Sequence, residues 1–220
     1  MSEAVSKAMC ETGGASSQQI FVVDDDDAQR DSLVWLLESH GYAVKAFSCA
    51  RDFLAFWDRN LAGCLLLDVR MPGVSGLELF EDLARRHSSL PVIFITGHGD
   101  VAMAVAALKK GAADFIEKPF SAEEMLKVVG SCLTRESEER ECRRAQADTT
   151  QRMAQLTARE HEVLDLIIKG KLNKQIADVL GISIKTVEVH RARVMDKMGV
   201  STMASLIRRV VSAELRETQG

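Results

Sequence analysis

Cysteine is scarce in this sequence, and long hydrophobic runs are absent. The five cysteines lie far apart and form no Cys-x-x-Cys pair, which predicts neither a disulfide framework nor a zinc site and indicates a reducing compartment. No apolar run reaches the roughly 18 residues that span a bilayer. Residues 1–17 are polar and lack the apolar centre of a secretory signal. We therefore expect a cytoplasmic protein without a membrane partner, with a disordered tail over residues 1–17.

The net charge of -4 is also small, but it is unevenly distributed. Residues 154–220 carry 11 Lys and Arg against 8 Asp and Glu, whereas residues 1–153 carry 17 against 24. An acidic N-terminal part and a mildly basic C-terminal part predict two domains with different partners. The positive excess of the second part is too small to indicate DNA binding by itself.

Five short apolar runs alternate with helical patterns over the first 120 residues. Several runs are apolar without alternation, as in parallel strands that are covered on both faces. The order predicts one α/β domain over residues 18–134 with a doubly wound, five-stranded parallel sheet. The expected strands are residues 20–23, 43–47, 64–67, 92–95 and 113–116, and the expected helices lie near residues 28–40, 50–59, 76–87, 100–110 and 121–134.

From residue 154 onward the pattern is typical of short helices alone. They predict a small all-α domain over residues 154–216, with Thr157, Asn173 and Ser183 capping the first three helices. The charged segment between the domains, residues 135–153, either extends the preceding helix or is flexible, and we expect a partly helical linker. The four helices are expected near residues 157–169, 173–180, 183–198 and 202–214.

Polar side chains follow four of the predicted strands. Asp24 and Asp25 come after the first strand, Asp68 and Thr96 end the third and fourth, and Lys118 follows the fifth. Because ligands bind beyond the carboxyl ends of parallel strands, these groups are expected to meet at one edge. Three carboxylates about 5 Å apart repel by roughly 3 kcal/mol per pair at an effective dielectric near 20, so we expect Mg²⁺ among them. An aspartate beside Mg²⁺ and a lysine is a workable nucleophile for a phosphoryl group.

Four stretches at these strand ends together resemble the receiver domain of response regulators. The resemblance covers roughly residues 18–134 and implies a flavodoxin-like fold. Phosphatases with an Asp-x-Asp motif are a weaker match, because this chain has Arg70 where they place a second carboxylate. The matching stretches are Val-Asp-Asp at 23–25, Leu-Asp-Val-Arg-Met-Pro-Gly at 67–73, Ile-Thr-Gly at 95–97 and Glu-Lys-Pro-Phe at 117–120.

The resemblance implies a role for each matching residue. Asp68 is implied to be the phosphoacceptor, with Lys118 and Thr96 as contacts of the phosphoryl group. Thr96 and Phe115 are implied to form a switch pair, and the bond between Lys118 and Pro119 is implied to be cis. The implied ligands of Mg²⁺ are Asp24, Asp25, Asp68 and the backbone carbonyl of Arg70.

Residues 183–198 contain neither Gly nor Pro and suit one continuous helix. At about 100° per residue, an apolar side opposes a partly basic side, which suits a helix in the major groove of DNA. Lys174, at the start of the preceding helix, is expected to contact phosphate. The apolar side holds Ile184, Val187, Val194, Met195 and Met198. The opposite side holds Lys185, Val189, Ala192 and Arg193, with Thr186, His190 and Lys197 on one flank and Glu188 on the other.

Two further side chains of this helix have less obvious roles. Arg191 falls on the apolar side, and we expect it to pair with Glu160 or Glu162 of the first helix. His190 either contacts a phosphate or packs as a partly buried residue, and the sequence favours neither.

Three stretches of the second domain resemble the LuxR-type four-helix DNA-binding domain, over about residues 154–214. By this resemblance, positions 185, 188, 189 and 192 face the bases. Together with the receiver, the whole chain is similar to the FixJ branch of the NarL/FixJ response regulators, as Ile-Thr-Gly-His-Gly-Asp at 95–100 also indicates. The stretches are Leu-Thr-Ala-Arg-Glu at 156–160, Asn-Lys-Gln-Ile-Ala at 173–177 and Thr-Val-Glu-Val-His-Arg at 186–191.

The combined resemblance implies a two-component response regulator rather than a conventional enzyme, because a receiver catalyses only its own phosphorylation and dephosphorylation. A sensor histidine kinase is expected to phosphorylate Asp68, after which a homodimer binds promoter DNA and, with RNA polymerase, activates transcription. Glu188 and the low net charge leave one alternative open, a regulator whose helical domain binds a partner protein rather than DNA.

Overall fold

The computed structural model describes residues 18–97 and 101–217. The chain divides into two compact units, Met1–Glu138 and Glu139–Gly220. The tail predicted over residues 1–17 lies outside the described residues, as do residues 98–100, which include the predicted start of one helix. Within the described residues, no helix is long and apolar enough to cross a membrane.

The first unit contains the predicted five-stranded sheet, and all of its strand pairs are parallel. The strand order is β2-β1-β3-β4-β5, which confirms the doubly wound α/β fold. The strands are β1 (Gln19–Val23), β2 (Ala43–Phe47), β3 (Gly63–Asp68), β4 (Val92–Thr96) and β5 (Asp114–Glu117). The helices are α1 (Asp27–Ser39), α2 (Ala50–Phe56), α3 (Gly76–Arg85), α4 (Val101–Lys109) and α5 (Ala122–Met153).

Hydrophobic clusters cover both faces of this sheet. Alternate side chains of β1 enter different clusters, Phe21 and Val23 on one side and Ile20 and Val22 on the other. All six residues of β3 are buried. This two-sided burial explains why the strands appear in the sequence as unbroken apolar runs.

Side chains cap three helix starts of this unit. Asp26 accepts hydrogen bonds from the backbone N–H groups of Ala28 and Gln29 and so caps α1. Ser75 and Glu78 form a reciprocal capping box at α3, and the hydroxyl of Ser121 accepts from the N–H of Glu124 before α5. These caps satisfy backbone donors that a helix leaves free at its first turn.

The second unit is entirely helical in its described part. Helix α5 continues through residues 135–153, so its last part belongs to this unit. One predicted cap is wrong: Asn173 is the first helical residue of α7, and the N-cap is Leu172, whose N–H donates to Gln175. The remaining helices are α6 (Ala158–Ile168), α7 (Asn173–Leu180), α8 (Ile184–Lys197) and α9 (Met203–Glu217). Their shared core includes Val163, Leu164, Ile176, Val187, Val194, Met198, Leu206 and Val210.

Candidate functional site

The carboxyl ends of β1 and β3 bring two aspartates together. Val23 of β1 lies opposite Leu67 of β3, so Asp24 and Asp68 follow side by side, and both are buried. They open onto a cavity of about 310 Å³. The cavity is lined by Asp24, Asp25, Asp26, Gln29, Asp68, Val69, Arg70, Ile95, Gly97 and Lys118.

Lys118 places a positive charge beside these two aspartates. Its ammonium forms an ion pair with Oδ1 of Asp68 and lies 4.0 Å from Oδ2 of Asp24. The N–H of Lys118 donates to the carbonyl of Thr96 across 2.7 Å, which fixes the segment after β5 against β4. The bond between Lys118 and Pro119 is cis, as the resemblance to receiver domains implies.

The loop after β3 holds the other oxygen of Asp68. Its Oδ2 accepts from the N–H of Arg70 at 2.7 Å, and the N–H of Gly76 donates to the carbonyl of Val69 at 3.1 Å. A Cβ on Gly76 would lie 2.0 Å from the backbone oxygen of Asp68. Only glycine fits there, so α3 begins directly against the end of β3.

Asp24 is held by hydrogen bonds to both of its carboxylate oxygens. The N–H of Asp26 donates to Oδ1 at 2.9 Å, and the side-chain amide of Gln29 donates to Oδ2. Burial raises the pKa of Asp24, and the charge of Asp68 adds to that effect, while the hydrogen bonds and Lys118 oppose it. The carboxylate is therefore both desolvated and firmly oriented.

Gln29 and Arg30 belong to this site although the sequence analysis missed them. Arg30 donates to the backbone carbonyl of Asp24 at 2.9 Å, and Gln29 lines the cavity. Both lie in the first turn of α1, whose start at Asp27 directly after the first strand would have placed them near Asp24. The short stretch of sequence between the first strand and this helix was the signal that could have identified Gln29 and Arg30.

The donor set of the cavity fits a magnesium ion. Among the described residues, no three His, Cys, Asp or Glu side chains are gathered in a ready coordination cluster. Mg²⁺ needs fewer, because it keeps several waters and takes one or two carboxylates. Asp24 and Asp68 are close enough for their charges to repel, and a divalent cation would relieve that repulsion. The exposed Asp25 and the residue Arg70 line the same cavity.

The predicted switch pair lies on the neighbouring strands β4 and β5. Thr96 is fully buried, and its hydroxyl donates to the carbonyl of Gly97 at 3.0 Å. Phe115 is half-buried, packs against the core cluster and lies opposite Phe94 of β4. Thr96 is paired with Glu117 and Phe115 with Phe94 in the register of the two strands.

The second unit presents an exposed face on α8, opposite Val187 and Val194, which are buried in the core. Val189 on this face is 45% exposed. Lys174 is exposed on α7. The exposed residues of the α8 face that were predicted to contact DNA are Lys185, Glu188, Val189, Ala192 and Arg193.

Thr186 and His190 are less accessible than the residues of that face. The hydroxyl of Thr186 lies 2.8 Å from that of Ser183, the cap of α8. His190 is partly buried, and its Nδ1 is buried without a hydrogen-bond partner among the described residues.

Two expectations for α8 need correction. Ile184 is 46% exposed rather than packed in the core, because it stands at the first turn. The expected pairing of Arg191 is wrong, since Glu160 pairs with Lys197 and Glu162 pairs with Arg159. Lys197, predicted on a flank of the DNA-facing side, has its ammonium on the carboxylate of Glu160.

Comparison with known protein families gives matches in both units. Residues 20–130 match the response regulator receiver domain, and residues 154–210 match the bacterial regulatory proteins of the luxR family. The chain belongs to the response regulators. Its two parts are therefore a receiver domain and a LuxR-type DNA-binding domain.

Known response regulators match this one over most of its length. The chain is 46% identical to the transcriptional regulatory protein FixJ of Azorhizobium caulinodans, over 90% of this chain and 93% of that protein. It is 42% identical to the transcriptional regulatory protein TdiR of Thauera aromatica, over 89% and 86%. Among solved structures, the response regulator StyR matches with a TM-score of 0.81 and 44% identity, over 89% of this chain and 98% of that one.

Proposed function

We propose that this response regulator accepts a phosphoryl group on Asp68 from a sensor histidine kinase. The ion pair of Lys118 with Asp68 inside the acidic cavity is the observation that supports this assignment most strongly. The proposed receiver covers residues 18–134, the connector residues 135–153 and the DNA-binding domain residues 154–216.

In the proposed reaction, a carboxylate oxygen of Asp68 attacks the phosphorus of the kinase's phosphohistidine. An O–P bond forms, the P–N bond breaks, and the imidazole leaves with the electron pair of the broken bond. Lys118, fixed by its backbone hydrogen bond to Thr96, stays beside the transferred group and offsets its negative charge.

We propose that Asp24, Asp25, Asp68 and the backbone carbonyl of Arg70 hold Mg²⁺ at this site. Bound there, the ion would neutralise charge on the phosphoryl oxygens. Asp24 is prepared for this role, since Asp26 and Gln29 already orient both of its oxygens.

The phosphoacceptor can be tested with a small phosphodonor and Mg²⁺. Wild-type protein should gain one acid-labile phosphoryl group by intact mass, and Asp68→Asn should gain none. Asp58→Asn, an exposed aspartate outside the cavity, is the matched control and should behave as wild type. Equal phosphorylation of Asp68→Asn would exclude Asp68 as the nucleophile.

We propose that phosphorylation is transmitted by Thr96 and Phe115. The hydroxyl of Thr96 would give up its hydrogen bond to the carbonyl of Gly97 and donate to a phosphoryl oxygen instead. Phe115 would then move into the space that the Thr96 side chain leaves. The surface of α4 and β5 then changes and pairs with a second copy of the chain. Light scattering with and without phosphodonor should show a phosphorylation-dependent dimer in wild type and none in Thr96→Val.

The exposed face of α8 is proposed to enter the major groove of promoter DNA, with Lys174 on the phosphate backbone. His190 and Thr186 would lie at its margin, and Lys197 would contribute only through its packing. Bound as a dimer, the protein would recruit RNA polymerase and activate transcription. Selection of DNA fragments from a random pool should yield one motif with steep salt dependence of binding. Failure to retain any motif would favour a partner protein as the ligand of the helical domain.

A further inference from the structure

The C-terminal end of α8 receives two arginines from other helices. Arg209 of α9 donates to the carbonyl of Met198 at 2.7 Å, and Arg152 of α5 lies 3.4 Å from the carbonyl of Lys197. Lys197 and Met198 are the last helical residue and the C-cap of α8. The last carbonyls of a helix have no hydrogen-bond partner within the helix, and the helix dipole favours cations at this end. The two guanidinium groups supply both hydrogen-bond donors and positive charge.

Asp148 of α5 holds the two arginines in place. Its carboxylate accepts from Nε of Arg152, with both oxygens at 3.0 Å, and from Nη2 of Arg209. Arg209 also donates from Nε to the buried hydroxyl of Thr149 at 3.2 Å. Each ion pair alone would contribute little to stability, because the side chain of Asp148 is 42% exposed. Here, however, a single carboxylate orients two guanidinium groups that both contact the end of α8.

The backbone after α8 is shaped to admit one of these arginines. A Cβ on Gly199 would lie 2.5 Å from Nη1 of Arg152. Gly199 also has a φ of +64°, which favours glycine. Gly199, the residue after the C-cap, therefore leaves room for the guanidinium of Arg152.

We propose that Asp148, Arg152 and Arg209 form a clamp that positions α8 for DNA, so that the last turns of α5 set DNA affinity. The three are positioning residues, since the contacts that place them lie at the C-terminal end of α8 and not on its exposed face. The proposal rests on the DNA-binding role of that face. It gives residues 139–153 a function within the DNA-binding unit beyond that of a connector.

The clamp can be tested by measuring DNA binding of full-length variants. For Asp148, the loss of its negative charge and the loss of its contacts are expected to change DNA affinity in opposite directions. Removing a negative charge should strengthen binding to a polyanion. If the clamp operates, Asp148→Ala should instead bind the selected DNA about tenfold more weakly. Glu141→Ala removes a charge from an exposed position on the same helix and should bind at least as tightly as wild type. Equal affinities of the two variants would overturn the proposal.

Arg209→Lys provides a second, charge-conserving test. A lysine cannot reach the carboxylate, the hydroxyl and the carbonyl at once, so this variant should also lose affinity, and full retention would contradict the clamp. Circular dichroism must show each variant folded at the assay temperature.

Hydrogen exchange supplies a readout that does not need DNA. Amides in the last turn of α8 should exchange faster in both Asp148→Ala and Arg209→Lys, and unchanged exchange would overturn the clamp. If wild type binds no DNA while these amides respond, the proposed DNA function fails and the positioning of α8 stands.

Discussion

The carboxylate of Glu160 and the ammonium of Lys197 form an ion pair of 2.6 Å between the first and third helices of the DNA-binding domain. The same carboxylate accepts from the N–H of Thr157 at 2.8 Å, and Lys197 also donates to the carbonyl of Gln155 at 3.1 Å. Only 3% of the Glu160 side chain is exposed. The pair therefore connects the start of α6 with the end of α8, with the carboxylate shielded from solvent and the ammonium partly exposed.

Removing the lysine should destabilise this domain. Lys197→Met leaves a buried carboxylate without its cation, and we expect a loss of about 2 kcal/mol. The loss can be measured by hydrogen exchange of the α6 amides at neutral pH. Lys171→Met, which removes an exposed lysine, should leave exchange unchanged, and equal exchange rates in the two variants would contradict the prediction.

The same pair makes stability depend on acid pH. The hydrogen bond from Lys197, followed by that from Thr157, lowers the pKa of Glu160 from 4.5 to about 2 in the folded protein. A carboxylate whose pKa is lower in the folded than in the unfolded protein stabilises the fold at pH values above its unfolded pKa. The contribution of Glu160 to stability is therefore present above pH 4.5 and is lost as the pH falls towards about 2. After correction for the intrinsic exchange rate, which itself changes with pH, the protection of the α6 amides should fall across that window in wild type and fall less in Lys197→Met.

Gly76→Ala should damage the phosphoacceptor end of β3. The new methyl group would collide with the backbone oxygen of Asp68, at a cost of about 1–3 kcal/mol. Thermal denaturation should show the loss, and phosphorylation by a small phosphodonor should slow. Gly130→Ala is the control, because its Cβ would meet only the hydroxyl of Tyr42 at 3.7 Å. A Gly76→Ala protein with wild-type stability would be inconsistent with this packing.

Gln29→Leu should weaken magnesium binding. Without the amide, Oδ2 of Asp24 loses its oriented donor, and only the N–H of Asp26 still orients the carboxylate. We expect about a fivefold loss of Mg²⁺ affinity, equivalent to one hydrogen bond of about 1 kcal/mol, by titration calorimetry. Gln146→Leu, in the other unit, should titrate as wild type. Unchanged affinity in Gln29→Leu would show that the amide does not orient the ligand.

Two lysines should affect DNA binding in different ways. Lys174→Ala should weaken binding equally to all sequences and reduce the salt slope by about 1, as expected for a phosphate contact. Lys185→Ala should cost about 1–3 kcal/mol on the selected motif and relax the preference at one base pair. Lys169→Ala, an exposed lysine outside α8, is the control. The same effect from both lysines would contradict the proposed roles.

Much of the site was predictable because its residues stand at strand ends. Asp24, Asp68 and Lys118 each follow an apolar run, and parallel strands place their carboxyl ends at one edge. The contribution of Gln29 was not predictable to the same degree. Its amide reaches Asp24 because the cap at Asp26 starts α1 at Asp27, which places Gln29 in the first turn of the helix.

Interactions between neighbours in sequence follow from the chain itself. Period and composition specify the buried strands, and Ser75 with Glu78 or Thr157 with Glu160 close a helix start within four residues. Such contacts need no other part of the molecule.

Pairings between distant charges were decided by packing. Glu160 could have met Arg191 or Lys197, and the packing of α6 against α8 brought only the Lys197 ammonium to it. Likewise, Asp148 meets Arg209, 61 residues away, because α5 continues into the second unit. Helical periodicity predicts the side of a helix on which a charged residue lies. The packing of the helices in the core then determines which oppositely charged residue lies next to it.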